Sequence, residues 1–263
     1  MNIDHKVGSP AASDSTAMDT TNKIDDVTLY SAWYCPFAQR TWATLEHLGI
    51  PYKYRETDPY HKSPEWMEIS RGTGQVPVIE ISVNDGAPFR VPGSLRSLEY
   101  LEDVQDESIE LFSANPSNRA EARYWSDFQG ANIIPYFYRF LKADRDSMIA
   151  DEAKGKMLIG LQTFAEAMSS DGAYFTGDAP SLVDFAFAPF ALRIDLILGH
   201  YKDFTLPTTG ETWTRYATWW AAMKRHPAML STMPEPETYK ARLIEFYLPY
   251  SKGGGQEDVT NVA

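Results

Sequence analysis

The sequence predicts two domains, a small α/β domain followed by an all-helical domain. Between Val27 and Asp103, short apolar β runs alternate with helical periodicity, whereas from Arg119 onward only helical periodicity remains. A polar segment separates the two patterns. Alternating strands and helices of this kind predict a helix-covered sheet, here a mixed four-stranded one. The predicted boundaries are 27–104 for the α/β domain, 105–117 for the linker and 118–249 for the all-helical domain.

Each element of the α/β domain has its own local signal. "VTLYS" is a short β run, and the helix "PFAQRTWATLEHL" places Ala38, Trp42 and Leu45 at helical spacing until Gly49 ends it. "YKYRE", "VPVIEI" and "PFRV" are predicted as the next three strands, with "SPEWMEIS" as a short helix or turn and "NDGA" as a turn. "SLRSLEYLEDV" is the closing helix.

Four helical patterns fill the second domain. Pro135 is expected to kink the first of them. Ser181 and Asp184, in "SLVD", have the spacing of a capping box and predict the start of the third. The patterns cover 119–142, 146–168, 182–198 and 211–225.

The two ends of the chain are predicted to be disordered tails, over 1–26 and 250–263. The first is rich in Ser, Thr, Asp and Ala, and has no apolar core of the kind a secretory signal needs. No segment approaches the roughly 18 apolar residues of a membrane span. One cysteine cannot form an internal disulfide, so a reducing, cytoplasmic location is expected.

Charge and histidine spacing exclude several classes of function. The net charge of −12 argues against nucleic acid and anionic membranes as partners, because both require a basic face. A small anionic ligand remains compatible with this charge, since a local positive site is enough to bind it. The five histidines show no ligand spacing, so no metal site is predicted.

The lone cysteine, Cys35, follows a strand and directly precedes Pro36, a residue favoured in the first turn of a helix. Unpaired amides and the helix dipole at such a position favour an anion, so a lowered pKa and a reactive thiolate are expected for Cys35. A buried structural cysteine is the alternative. Ala38 occupies the partner position of a Cys-x-x-Cys pair, and any thiol chemistry must therefore use an external second thiol.

At "YCPFAQR" the sequence resembles the active-site segment of omega-class, cysteine-type glutathione transferases. The resemblance continues through "KSPEW", "GQVPVIE", "GSLRSLEYLED", "NRAEARYW" and "TGDAPSLVDFAFAPF", and so covers the chain from Val27 to Tyr247. It implies a thioredoxin-like N-terminal domain that binds glutathione as co-substrate. It also implies a helical domain that supplies the pocket for a small electrophilic or glutathionylated second substrate, and a homodimer.

The resemblance assigns the site residue by residue. Cys35 would be the catalytic nucleophile, with Phe37 packed beside it. Lys62 would pair with the glycyl carboxylate of glutathione. Val76 would precede a cis proline, Pro77, and present its backbone N–H and C=O to the cysteinyl part of the ligand as an added strand does. Ser94, which would cap the helix after the fourth strand, would bind the γ-glutamyl carboxylate.

The residue before this serine departs from the family pattern. Family members usually have an acidic or amide residue there, which holds the γ-glutamyl amine, whereas this chain has Gly93. Glycine tolerates the backbone conformation of such a turn without strain. The expected consequence is the loss of one contact to glutathione.

Three functions follow from the resemblance. The first is a glutathione-dependent thiol transferase with a cysteine nucleophile, which would carry out deglutathionylation or dehydroascorbate-type reduction. The second is a tailoring enzyme for an aromatic secondary metabolite, in the manner of related proteins of filamentous fungi, because the helical half is rich in aromatic residues. The third is a non-catalytic binding module on the same scaffold.

Overall fold

A computed structural model describes residues 24–105 and 110–255. It confirms the predicted fold class, a four-stranded mixed sheet followed by helices. The strand order is β2-β1-β3-β4, with β1 parallel to β2 and antiparallel to β3, and β3 antiparallel to β4. The strands are β1 (Ile24–Ser31), β2 (Lys53–Glu56), β3 (Val78–Val83) and β4 (Phe89–Pro92).

Three helices accompany the sheet: α1 (Pro36–Leu48), α2 (Pro64–Ile69) and α3 (Ser94–Val104). Gly49 ends α1 in the left-handed conformation, with φ of +65°. Ser63 begins α2 by accepting a hydrogen bond from the Trp66 N–H at 3.1 Å. These boundaries are close to those that the sequence predicts, because each follows from a local cap or proline.

The helical domain is built around α7, whose residues are all buried. At its start the backbone N–H of Ser181 donates to the Asp184 carboxylate at 2.7 Å, as the predicted capping box requires. The helices are α4 (Pro116–Asn132), α5 (Ile134–Lys142), α6 (Met148–Glu166), α7 (Leu182–Arg193), α8 (Gly199–Lys202), α9 (Glu211–Arg225), α10 (Pro227–Ser231), α11 (Pro236–Phe246) and α12 (Leu248–Ser251).

Several elements differ from the prediction. The predicted first helix is interrupted at Ile133, between α4 and α5. Pro135 lies in the first turn of a new helix instead of kinking a continuous one. The pattern over 182–198 ends in a π-helical turn, Ile194–Leu198. The prediction lacks α8 and the three helices from α10 to α12. Helices α8, α10 and α12 have only four or five residues each, and α10 and α11 start at Pro227 and Pro236, where the sequence pattern indicates a break.

The predicted tails also need correction where the structure describes them. Strand β1 begins at Ile24 and so includes the last residues of the segment 1–26, because the pairing of Ile24 with Val83 extends the sheet. Helix α12 continues to Ser251, since Tyr250 is buried against the helical domain. Residues 1–23 and 256–263, and linker residues 106–109, lie outside the described residues.

The two domains share one hydrophobic core. Helix α1 packs against α3 on one side and against α7 and α10 of the helical domain on the other. Leu29 of the sheet and Phe185 of α7 belong to the same buried cluster, and both are fully buried. No helix among residues 24–105 and 110–255 is long and apolar enough to cross a membrane. The shared core fixes the N-terminus of α1 against the helical domain, which is where Cys35 lies.

Candidate active site

A pocket of about 630 Å³ opens between the sheet domain and the helical domain. Every residue that the sequence predicts for the site lines this pocket, although the first and the last of them, Cys35 and Ser94, are far apart along the chain. The predicted residues are Cys35, Phe37, Lys62, Val76, Pro77 and Ser94. These residues converge because of the strand directions. Since β3 is antiparallel to both β1 and β4, the C-terminal ends of β1 and β4 and the N-terminal end of β3 lie at the same end of the sheet.

Cys35 lies at the N-terminus of α1, where the first helical hydrogen bond runs from the Gln39 N–H to the Cys35 carbonyl at 3.0 Å. Its side chain makes no capping hydrogen bond. Burial raises the pKa of the Cys35 thiol, against the smaller opposing effects of the Ala38 and Phe37 backbone amides and the Arg193 and Arg40 charges. The expectation of a lowered pKa is therefore wrong for the ligand-free pocket, because removal of water outweighs the helix N-terminus.

Arg193, a fully buried residue of α7, lies close enough to Cys35 for its charge to act on the thiol. Its Nη1 donates to the Gln39 Oε1 at 2.6 Å and to the Pro189 carbonyl at 2.8 Å. Its Nη2 donates to the Tyr34 carbonyl at 2.8 Å. None of these acceptors is charged, and no carboxylate among the described residues forms an ion pair with this guanidinium.

Arg40 is a second buried cation near the thiol, with 3% of its surface exposed. Its Nε donates to the Ala186 carbonyl at 2.6 Å, and its guanidinium lies over the rings of both Phe37 and Phe190, at 5.1 and 4.9 Å from their centroids. Burial lowers the pKa of Arg40 to about 10, and the neighbouring Cys35 acts in the opposite direction. Two buried guanidinium groups, neither of which forms an ion pair with a described carboxylate, therefore lie near the cysteine. Their positive charges favour the thiolate, and so lower the pKa of Cys35 relative to a site of the same burial without them.

The peptide bond between Val76 and Pro77 is cis, as predicted. The Pro77 carbonyl accepts a hydrogen bond from the Gly93 N–H at 2.9 Å, which joins this turn to the start of α3. Neither backbone group of Val76 has a hydrogen-bond partner in the described part of the chain. An extended peptide in the pocket could therefore pair with Val76 as an additional strand does.

Ser94 is buried, and its hydroxyl accepts a hydrogen bond from Arg40 Nη1 at 3.3 Å. Lys62 is exposed, and its side-chain carbons lie over Gly74, where an added Cβ would approach Lys62 Cε to 3.1 Å. Phe37 is 38% exposed and packs edge-on against Phe190 with the ring centroids 5.0 Å apart. These three residues thus present a hydroxyl, an ammonium group and an aromatic ring to the pocket.

Gly93 has a φ of +94°, a conformation that favours glycine. Arg96 folds back over it, with its Nε donating to the Pro92 carbonyl at 2.7 Å. A Cβ at position 93 would lie 2.4 Å from Arg96 Nη2. The Arg96 guanidinium therefore takes the space that a side chain at position 93 would need.

Aromatic side chains from both domains form part of the pocket lining, and the sequence analysis notes the aromatic content of the helical half without naming these residues as part of the site. Tyr34 stacks on Phe246 with a centroid separation of 4.0 Å and an interplanar angle of 17°. Tyr138 of α5, together with Tyr247 and Tyr250 from the end of the chain, also lines the pocket. The dense aromatic spacing of "EFYLPY" is the signal that could have indicated a role for this segment.

Potential metal ligands do not cluster in the described segments 24–105 and 110–255, where no group of three or more His, Cys, Asp or Glu side chains could hold an ion.

Two family models match this chain. The glutathione S-transferase N-terminal domain matches residues 34–104, and the glutathione S-transferase C-terminal domain matches residues 148–225. The first contains Cys35 and the rest of the predicted site. The second contains α7, which supplies Arg193.

Individual relatives agree with these matches. The chain is 32% identical over 180 residues to glutathione S-transferase U26 of Arabidopsis thaliana, covering 68% of this chain and 74% of that protein. It is 28% identical to the omega-1 glutathione S-transferase of Mus musculus, covering 82% and 84%. The crystal structure of glutathione transferase Omega 3C from Trametes versicolor superposes with a TM-score of 0.68 at 33% identity, covering 79% of this chain and 89% of that one.

The matched domains, the mixed four-stranded sheet with its cis proline, and the identity to plant, animal and fungal relatives agree with one another. The sheet domain is therefore thioredoxin-like, and the chain belongs to the glutathione S-transferase family, whose co-substrate is glutathione.

Proposed function

We propose that this glutathione-dependent transferase acts as a thiol transferase, with Cys35 as its nucleophile. The observation that carries the proposal is the placement of Cys35. It is the only cysteine of the chain and lines the pocket between the domains, and the buried Arg193 and Arg40 near it form no ion pair with a carboxylate of the described residues. A thiolate there is the natural counter-charge for these two cations, because a buried charge is costly unless it is compensated.

The proposed reaction has two exchange steps. The Cys35 thiolate attacks the glutathionyl sulfur of a mixed disulfide, which forms a Cys35–glutathione disulfide and releases the substrate as a thiolate. A second glutathione, as its thiolate, then attacks the glutathionyl sulfur bound to Cys35. This step restores the Cys35 thiolate and yields glutathione disulfide, while the proton given up by the second glutathione goes to the released thiolate. Overall, the substrate sulfur is reduced to a thiol and one free glutathione is oxidised, because the other half of glutathione disulfide comes from the mixed disulfide itself.

The proposal places glutathione in the pocket through the groups described above. The unpaired backbone of Val76 would bind the cysteinyl part, in line with Pro77 and β3. The Ser94 hydroxyl would bind one carboxylate and the Lys62 ammonium group the other. Phe37 would shield the sulfur beside Phe190, which limits the access of water to the disulfide.

Cys35→Ser and Cys35→Ala variants test the mechanism. With the mixed disulfide of glutathione and 2-hydroxyethanethiol as substrate, both variants should lose at least about 100-fold in the rate of glutathione disulfide formation, because neither can form the covalent intermediate. Mass spectrometry of the wild type should show one glutathionyl group on Cys35. Unchanged thermal melting and retained glutathione binding are the controls. An active Ala variant would overturn the proposal.

The aromatic part of the pocket lining favours a second candidate, a transferase acting on an aromatic secondary metabolite. The stacked pair Tyr34 and Phe246, together with Tyr138, lines the pocket with aromatic rings. Conjugation of glutathione to flat aromatic electrophiles by the wild type and by Cys35→Ser distinguishes the two functions. Conjugation that survives in Cys35→Ser supports the second candidate. Absence of both activities, with glutathione still bound, would indicate a binding module.

A further inference from the structure

The charged side chains that line the pocket are all positive. The two charged residues in the lining are Lys62 and Arg96. No carboxylate of the described residues lines the pocket, although the chain has a net charge of −12. Neither forms an ion pair with a described residue. Five arginines elsewhere on the protein do pair with carboxylates. The paired residues are Arg90, Arg119, Arg123, Arg139 and Arg145.

Gly93 is the reason that the Arg96 guanidinium can lie at the pocket. An added Cβ would be 2.4 Å from Arg96 Nη2 and 3.0 Å from Arg96 Cζ, so any other residue at position 93 displaces the guanidinium. The hydrogen bond from Arg96 Nε to the Pro92 carbonyl, at 2.7 Å, holds the side chain in this position. Gly93 and Arg96 thus form one unit, in which the missing side chain makes room for a cation.

We propose that Arg96 gives the pocket a preference, over glutathione itself, for glutathione-like peptide thiols that carry two carboxylates and no free ammonium group. This inference rests on the proposed function in one respect: a glutathione-like thiol is the ligand of the pocket. Whatever the pose, an ammonium group in this pocket meets no carboxylate from residues 24–105 and 110–255 in the pocket lining. Near Arg96 or Lys62 it is repelled by a like charge, while each ligand carboxylate has a cation to pair with.

The predicted ligand class is therefore glutathione whose γ-glutamyl amine is acylated. Two like charges about 6 Å apart, in surroundings close to water, repel by an amount that corresponds to about a three- to tenfold change in affinity. Because Arg96 is exposed, the lower part of this range applies at high ionic strength.

Calorimetric titration of the full chain with glutathione and with N-acetylglutathione, at one pH and one salt concentration, tests the inference. The wild type should bind N-acetylglutathione about three- to tenfold more tightly. Arg96→Gln should weaken both ligands and remove this preference. Gly93→Glu should displace the guanidinium, introduce a carboxylate and reverse the preference in favour of the free amine.

Arg225→Gln, which removes an exposed arginine outside the pocket, is the matched control and should keep the wild-type preference. Tighter binding of glutathione than of N-acetylglutathione by the wild type would overturn this inference and leave the thiol transferase mechanism intact. The same holds for a preference that survives in Arg96→Gln. Failure of both peptides to bind would overturn the inference and the proposed function together.

Discussion

Arg193 Nη1 donates to Gln39 Oε1 at 2.6 Å, and this hydrogen bond joins the helical domain to the first turn of α1, which follows Cys35. Gln39 completes the connection by donating from Nε2 to the Thr232 hydroxyl at 2.9 Å. Both residues are buried. This polar contact adds to the shared hydrophobic core in positioning α1, and therefore Cys35, relative to the helical domain.

Replacing Arg193 should affect both stability and the cysteine. Arg193→Met removes the charge and leaves the Tyr34 carbonyl and Gln39 Oε1 without their donor, so a loss of about 2–5 kcal/mol of unfolding free energy is expected. The pKa of Cys35 should rise further, because the Arg193 charge lowers it in the wild type. Denaturant unfolding measures the first effect, and the pH dependence of iodoacetamide alkylation measures the second.

Arg193→Lys separates the two effects, since it retains the charge and loses the planar set of donors. It should destabilise the protein while keeping the alkylation midpoint closer to that of the wild type than Arg193→Met does. Equal midpoints in the Met and Lys variants would contradict an electrostatic role.

The pH dependence of Cys35 itself gives a second prediction. Because burial raises the pKa of Cys35 in the ligand-free protein, its alkylation rate should rise with pH through a midpoint above that of a free thiol, about 8.5. Thiol transferase activity limited by this thiolate should likewise increase from pH 7 to pH 9. A midpoint below about 8 in the ligand-free protein would mean that the two arginines and the helix N-terminus outweigh burial.

His47 and His226 should make the protein sensitive to acid. Their rings are 5.2 Å apart at the contact of α1 with α10, and burial, followed by the proximity of His226, lowers the pKa of His47 to about 4. The unfolded chain, with a histidine pKa near 6.5, binds more protons than the folded one between pH 6.5 and 4. Stability should therefore fall as the pH decreases through this window.

His47→Gln should flatten that part of the stability profile, measured by thermal melting between pH 7 and pH 4. His200→Gln, a change at an exposed histidine, is the matched control and should leave the slope as it is. An unchanged slope in His47→Gln would show that other groups cause the loss of stability.

Asp184 is expected to be the most sensitive position of the helical domain. Its carboxylate, fully buried, accepts hydrogen bonds from the Phe175 and Ser181 backbone N–H groups and from Trp219 Nε1, at 2.7–2.8 Å. Asp184→Asn keeps the shape but replaces an acceptor oxygen by a donor. A loss of about 2–4 kcal/mol of unfolding free energy is therefore expected.

Chemical denaturation of Asp184→Asn, with the exposed Asp178→Asn as control, measures this loss. A destabilisation below about 1 kcal/mol would mean that the helix tolerates a rearranged cap.

Local features of the sequence determined much of this fold. Gly49 ends α1, Ser63 begins α2, and the Ser181–Asp184 spacing begins α7, each through contacts within one helical turn. Such short-range signals are readable from sequence because the interacting groups are separated by a few residues. The same applies to the strand–Cys35–helix arrangement and, through the family resemblance, to the cis proline.

Only the tertiary structure decided the electrostatics of the site. Arg193 lies 154 residues from Gln39 along the chain, and nothing in its own helix indicates that it will lie close to Cys35. The raised pKa of Cys35 depends on how much water the two domains exclude together. The guanidinium over Gly93 depends on a side-chain conformation. Burial and charge at one point sum contributions from distant segments, which no local pattern contains.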